Sequence, residues 1–192
     1  MELQHVNVKL LVENPAAANL EPLIPIFQEW IEKQAGGDLL LDVADYRHVP
    51  AGPGVVLIGL EGDYSVDNSD NRLGVRYNRK APSPGSNNDR LKQAARAALT
   101  GATRLEADPR LEGKLRFGGR EIEVFANDRL LAPNVEATRK GAEADLKSFF
   151  HGLFQGREYS LSYATDPRRL FGVSVKLSGP IPVAELLANL GA

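Results

Sequence analysis

The sequence contains no cysteine, and this absence excludes disulfide bonds, thiolate nucleophiles and cysteine-ligated metal ions. Its three histidines, His5, His48 and His151, lie far apart and do not show the paired spacing of a zinc or iron site. A Walker loop, a G-x-G-x-x-G turn and a G-x-S-x-G elbow are also missing. We therefore expect no bound metal ion and no cofactor.

Long apolar runs are absent as well. No uninterrupted apolar segment approaches the roughly 20 residues that a membrane helix needs, and residues 1–5 lack the basic and apolar regions of a signal peptide. The absence of cysteine fits a reducing compartment. We expect a cytoplasmic protein without a membrane segment.

The formal net charge is only -2, but the charges are unevenly distributed along the chain. Residues 1–71 contain 3 Lys and Arg residues against 12 Asp and Glu residues, whereas residues 72–104 contain 8 against the single Asp89. The small net charge disfavours general affinity for nucleic acid. Two interpretations of the basic segment stay open. Its charges pair with the acidic first third, within one chain or across a homo-oligomer, or they form a local site for single-stranded nucleic acid. We favour pairing.

Apolar residues recur with the periods of both strands and helices. Near the start of the chain Val6, Val8 and Leu10 alternate with polar residues, which predicts a strand with one buried face. Small and apolar residues at helical spacing predict a helix over residues 91–105. Short polar turns between consecutive strands favour antiparallel pairing. The sequence therefore predicts a two-layer α+β fold with a largely antiparallel sheet, and residues 1–192 as a single globular unit.

The two halves of the chain follow a similar order of predicted elements. Residues 1–106 and residues 112–192 each fit a strand-helix-strand-strand-helix unit. In this alignment the strand that begins at Leu39 corresponds to the strand that begins at Tyr159. We therefore raise an internal duplication of that unit as a hypothesis.

The segment of residues 42–48 has the richest local chemistry in the chain. Within it, Asp45, Tyr46, Arg47 and His48 are candidate ligand-binding residues. A histidine titrates near neutral pH, a carboxylate can orient it, and an arginine can hold an anion through its planar fork. The alternative is that Asp45 and Arg47 pair only to fix the end of a strand, with the tyrosine packed beside them.

A second polar cluster, Asn127, Asp128 and Arg129, lies between a predicted strand and a predicted helix. Its place before a helix N-terminus suits capture of an anionic ligand. Asn and Asp side chains also close turns at such positions without any ligand. We keep the three residues as candidates for ligand binding.

Three segments of the sequence resemble segments of other proteins. Residues 42–50, residues 127–134 and the run Asp166-Pro167-Arg168-Arg169 resemble those of uncharacterised bacterial proteins of similar length, and the likeness covers nearly the whole chain. This resemblance implies a bacterial protein, and it transfers no catalytic residue because no activity is attached to it.

Three functions stay open from the sequence. The leading hypothesis is a non-enzymatic role in which the protein binds a small molecule or another protein. The second is a small-molecule hydrolase or isomerase that uses His48 as a base, with Asp45, Tyr46 and Arg47 around the substrate. The third is single-stranded nucleic-acid binding through residues 72–104.

Overall fold

The computed structural model describes residues 1–35 and 37–191 of the protein. In these residues eight strands form one sheet, and four α-helices accompany it. The strands are β1 (Val6–Val12), β2 (Leu40–Tyr46), β3 (Gly54–Gly59), β4 (Gly62–Asp67), β5 (Gly74–Arg79), β6 (Phe117–Ala126), β7 (Tyr159–Tyr163) and β8 (Phe171–Leu177). The helices are α1 (Leu23–Glu32), α2 (Asn87–Ala107), α3 (Glu136–Leu153) and α4 (Val183–Asn189).

The strand order across the sheet is β2-β3-β4-β5-β1-β6-β8-β7, and every neighbouring pair is antiparallel. Strands β1 and β6 pair near the centre, so both halves of the chain contribute to one continuous sheet. The predicted α+β fold with a largely antiparallel sheet is confirmed.

One face of the sheet carries the helices, and the other does not. Helix α2 packs on β1 and β5, helix α1 packs on β2, and α3 and α4 pack against α2. Alternation along β1 directs Val8 and Leu10 into the helix-covered core and leaves Asn7 and Lys9 on the opposite, helix-free face. The helix predicted over residues 91–105 is α2, and its inward stripe is buried. The stripe consists of Leu91, Ala94, Ala95, Ala98, Leu99, Ala102 and Leu105.

The internal duplication is not confirmed. The sequence alignment equates the pair β2-β3 with the pair β7-β8, but these pairs occupy different positions in the sheet. Strand β8 lies directly against β6, whereas β3 lies between β2 and β4 and is separated from β1 by β4 and β5. The extra strands β4 and β5 therefore break the correspondence that the sequence suggested.

Helix α2 begins with a reciprocal cap. The Ser86 hydroxyl accepts a hydrogen bond from the backbone N–H of Asp89, and the Asp89 carboxylate accepts one from the backbone N–H of Ser86. We expect Ser86→Ala to lower the free energy of unfolding by about 0.5–2 kcal/mol because it removes an N-cap. Urea denaturation measures the change. The control is Ser148→Ala on the exposed surface of α3, where a loss of the same size would contradict the capping argument.

Candidate functional site

The first predicted cluster lies at the exposed end of the edge strand β2. The Asp45 carboxylate accepts hydrogen bonds from Nε of Arg47 at 3.0 Å, from its terminal nitrogen at 2.8 Å and from its backbone N–H at 3.0 Å. These hydrogen bonds and the charge of Arg47 lower the pKa of Asp45 to about 2. The pair closes the turn that follows β2 and keeps its own charges engaged.

Tyr46 and His48 lie beside this pair, and their ring centroids are 6.5 Å apart. Both residues are exposed. A general base must reach a substrate proton, usually inside a concave and partly desolvated site. His48 lines none of the three cavities described below. The described residues therefore place the proposed base on an exposed surface outside these three cavities.

The second cluster divides between two roles. The backbone N–H of Asn127 donates to the carbonyl of His5 at 3.0 Å, and the Asp128 carboxylate accepts from the backbone N–H groups of Leu130 and Leu131 at 3.0 and 2.9 Å. Asp128 therefore closes a turn, whereas Asn127 joins the end of β6 to the segment before β1. Arg129 is exposed and lines a groove on the helix-free face.

The two predicted clusters do not meet. Strand β2 and strand β6 are separated by five strand spacings in the sheet. At about 4.8 Å for each spacing, the clusters lie on the order of 24 Å apart. A single small ligand therefore cannot contact both clusters.

In the part of the chain that the structure describes, this groove is the strongest candidate for a binding site because it gathers several charged side chains on one concave surface. It has a volume of about 690 Å³ and lies on the helix-free face, over β1, β5, β6 and β8. Its cations are Lys9, Arg72, Arg76, Arg129, Arg168 and Arg169. Its carboxylates are Asp67, Asp70 and Glu123. Other cavities lie between α3 and β7, lined by Glu143, Lys147, His151 and Tyr159 among others, and beside α2.

Strand register creates the floor of the groove. Arg76, Lys9, Glu123 and Ser174 occupy directly opposed positions on β5, β1, β6 and β8. Because side chains on opposed residues project to the same face of a sheet, these four polar side chains form one row on the helix-free face. The row places charged groups in the middle of the sheet, where neighbouring side chains restrict access of water.

Lys9 and Asp67 form a buried ion pair at the base of the row. The Lys9 Nζ lies 2.5 Å from Oδ1 of Asp67, and the two side chains are 2% and 1% exposed. The Asp67 carboxylate also accepts from the backbone N–H and hydroxyl of Ser69 and from Arg76. Burial by itself would raise the pKa of Asp67, but Lys9, Arg76 and these hydrogen bonds outweigh it and hold the pKa below its ordinary value.

The pKa of Glu123 is displaced in the opposite direction to the pKa of Asp67. Arg72 bridges Glu121 at 2.5 Å and Glu123 at 2.8 Å. Burial nevertheless raises the pKa of Glu123 above its ordinary value, because the opposing effects of Arg72 and Lys9 are smaller. The groove therefore contains one carboxyl that is held ionised and one that is displaced towards its neutral form.

Part of the cation excess is not neutralised. Arg169 pairs with Asp70, and Arg168 pairs with Asp166 of its own turn while its side chain is 89% exposed. Arg129 has no carboxylate within 4.0 Å among residues 1–35 and 37–191. This end of the groove offers guanidinium groups to an incoming anion.

An aromatic ring completes the floor. Phe125 on β6 lies against Gly172 on β8, where a Cβ atom would approach the ring to 2.6 Å. The Arg76 guanidinium lies 5.9 Å from the centroid of the same ring. Asn7, directly opposite Phe125 on β1, is fully buried, and neither atom of its amide has a hydrogen-bond partner among the described residues. The groove lining therefore combines charge with an aromatic surface, and the unpaired Asn7 amide is buried beside it outside the lining.

Sequence reasoning missed most of this site. Lys9, Asp67, Glu123 and Phe125 were not predicted as functional residues, and Arg76 was included only through the alternative of nucleic-acid binding by residues 72–104. The available signal was the polar half of each alternating strand, which was interpreted as a solvated face. Only the strand order places those polar halves side by side, and the strand order was not predicted.

Comparisons with known proteins return no match to a family model, a curated protein or a solved structure. The resemblance to uncharacterised bacterial proteins, and with it a bacterial origin, therefore stays a prediction. Within the described residues, each helix is too short or too polar to cross a membrane. The same residues contain no group of three or more His, Cys, Asp or Glu side chains arranged to hold a metal ion.

Proposed function

We propose that the protein is a non-enzymatic ligand-binding protein and that the groove on the helix-free face holds a small anionic molecule. The observation that supports this proposal is the composition of the lining, in which six cations stand against three carboxylates and Arg129 has no ion-pair partner among the described residues. Glu121 and Asp166, outside the lining, pair with Arg72 and Arg168. An anion in a groove that is partly shielded from water would gain more from these guanidinium groups than it would at an open surface.

The ligand that fits this lining carries a phosphate or carboxylate group next to an aromatic or apolar part. Arg129 and Arg168 line the groove and are exposed, so they can reach an incoming anionic group. Phe125 and Leu170 contribute apolar surface to the same lining. Binding sites commonly combine apolar walls with a few oriented polar groups, and this arrangement fits a small organic anion better than an inorganic one.

A second candidate function is proton transfer on the same ligand. It is supported by the opposite displacement of the pKa values of Asp67 and Glu123 within one groove, a pattern that acid-base enzymes use. Binding without catalysis fits better for two reasons. Lys9 is engaged by Asp67, and the Ser174 hydroxyl donates to Glu121, so neither is free to act as a nucleophile.

The binding proposal predicts a local effect of Arg129. We expect Arg129→Gln to weaken the binding of phenyl phosphate about tenfold or more, because it removes a charge-assisted contact. Isothermal titration calorimetry at constant ionic strength measures the affinity. The matched control is Arg157→Gln, since Arg157 pairs with Glu185 outside the groove lining.

Two results would contradict the proposal. The first is that phenyl phosphate, benzoate and citrate all bind the unmodified protein no more tightly than about 1 mM, which is the range of nonspecific ion pairing. The second is that Arg157→Gln weakens binding as much as Arg129→Gln. For the proton-transfer alternative, Glu123→Gln would abolish turnover of a bound ester or isomerisable acid while leaving its binding intact.

A further inference from the structure

The basic segment of residues 72–104 is mostly neutralised within the fold. Four of its cations pair with carboxylates of the acidic first third. These pairs are Arg76–Asp67, Arg79–Glu61, Lys80–Asp63 and Arg90–Glu2. A fifth cation, Arg72, pairs with Glu121 and Glu123 on β6. The predicted pairing with the acidic first third is therefore confirmed, within one chain, for four of the eight cations.

The three remaining cations, Lys92, Arg96 and Arg104, all belong to α2. No carboxylate of the described residues lies within 4.0 Å of any of them. They are separated by multiples of four residues, so they follow one ridge of the helix surface. At 1.5 Å for each residue, the ridge extends over about 18 Å.

This ridge lines a cleft of about 510 Å³ on the helix-covered side of the sheet. Tyr64 on β4 and Tyr77 on β5 contribute to the lining, together with Arg79. The cleft is separated from the groove on the helix-free face by the sheet itself. A ligand in one site therefore makes no contact with the side chains of the other.

The carboxylates near the cleft are already engaged by the backbone. The Asp38 carboxylate accepts from the backbone N–H groups of Glu61 at 2.5 Å and Gly62 at 2.9 Å, and Asp89 caps α2. They do not form ion pairs with the ridge. Of the four cations in the lining, Arg79 is paired with Glu61, which leaves Lys92, Arg96 and Arg104 without a carboxylate partner among the described residues.

Packing fixes the positions of the cationic side chains. The Arg104 guanidinium lies 5.5 Å from the ring centroid of Trp30, and the Arg96 guanidinium donates to the carbonyl of Leu190 at 2.7 Å. Beneath the ridge, Gly101 allows Tyr64 to approach α2, because a Cβ atom there would lie 3.1 Å from the tyrosine ring. Charges that are held in place before binding lose less conformational entropy when a ligand arrives.

We propose that this cleft binds a linear polyphosphate chain. A ligand with one anionic group cannot engage cations distributed over such a length, whereas a chain of linked phosphates presents several. The Gln93 amide and the Thr100 hydroxyl, which also line the cleft, can donate hydrogen bonds to phosphate oxygens. Recognition here uses side chains, since the sequence lacks a glycine-rich phosphate loop.

The single tryptophan provides a direct readout, because Trp30 is the only tryptophan in the sequence and contacts Arg104. We expect a long-chain linear sodium polyphosphate, which can extend along the whole ridge, to change Trp30 fluorescence in a saturable manner in metal-free buffer near physiological ionic strength. Lys92→Gln and Arg104→Gln should each weaken this binding about tenfold, because each removes one charged contact while keeping the aliphatic stem.

Two controls separate the cleft from other sites. Lys140→Gln changes an exposed lysine of α3 outside the cleft lining and should leave the affinity unchanged. Arg129→Gln should also leave it unchanged, so failure of the groove proposal and failure of this one are distinguishable. The proposal is overturned if the long-chain polyphosphate gives no saturable signal, or if Lys140→Gln matches Lys92→Gln. It is also overturned if a single-stranded oligonucleotide binds at the cleft and the polyphosphate does not compete with it.

Discussion

Replacing Lys9 by methionine is expected to lower the free energy of unfolding by about 3–5 kcal/mol. The Lys9 ammonium is the closest cation to Asp67, and both side chains are almost completely excluded from solvent. Methionine preserves much of the volume but leaves the Asp67 carboxylate buried with only Arg76 and Ser69 as partners. The cost arises because an incompletely paired charge remains inside the protein.

Urea denaturation of Lys9→Met at neutral pH measures this loss. The double variant Lys9→Met/Asp67→Asn removes both charges and should recover most of the lost stability. The control Lys33→Met disrupts an exposed ion pair with Glu29 and should cost at most about 0.5 kcal/mol. A double variant no more stable than Lys9→Met would show that the loss is not caused by the unpaired carboxylate.

The lowered pKa of Asp67 adds a pH dependence to the same experiment. The stabilisation that follows from a lowered pKa is present above the ordinary carboxyl pKa, and it is lost as the pH falls through the pKa of the folded state. In Lys9→Met the pKa of Asp67 should be higher than in the unmodified protein. The difference in free energy of unfolding between Lys9→Met and the unmodified protein should therefore decrease as the Asp67 carboxyl becomes protonated at acidic pH.

Local periodicity was sufficient to predict the fold class. The alternation of Val6, Val8 and Leu10 identified β1, and the stripe from Leu91 to Leu105 identified the buried side of α2. Both patterns depend on residues that are close in sequence, because each element selects its own buried face. The order of strands depends on contacts between distant segments. Periodicity therefore could not predict the strand order. For this reason the sequence alignment equated the pair β2-β3 with the pair β7-β8, although the two pairs occupy different positions in the sheet.

The same distinction explains why the candidate site was only partly predicted. A polar residue in an alternating strand normally faces solvent, and Lys9 fits that pattern. Its burial arises from Asp67, Arg76 and Glu123, which three other strands place around it. Residues 45–48 were predicted as a candidate site because their polar and titratable side chains are adjacent in the sequence. In the fold, the groove brings together charged side chains that are far apart in the sequence.

Gly54→Ala is expected to destabilise the protein by about 3 kcal/mol, the combined cost of a strained backbone and a steric overlap. Gly54 begins β3 with a φ of +67°, a conformation that side chains with a Cβ atom rarely adopt. A Cβ atom built there would lie 1.9 Å from the carbonyl oxygen of Val66 on β4. The backbone of β3 must therefore move away from β4.

The matched control for this substitution is Gly152→Ala. Gly152 lies in α3, and a Cβ atom there would meet no other atom within 4 Å. Alanine should therefore raise the free energy of unfolding by about 0.5–1 kcal/mol, because glycine loses more backbone entropy on folding into a helix. Urea denaturation of both variants compares the same chemical change at two sites. Changes of the same sign at Gly54 and Gly152 would contradict the claim that the β3–β4 contact requires glycine.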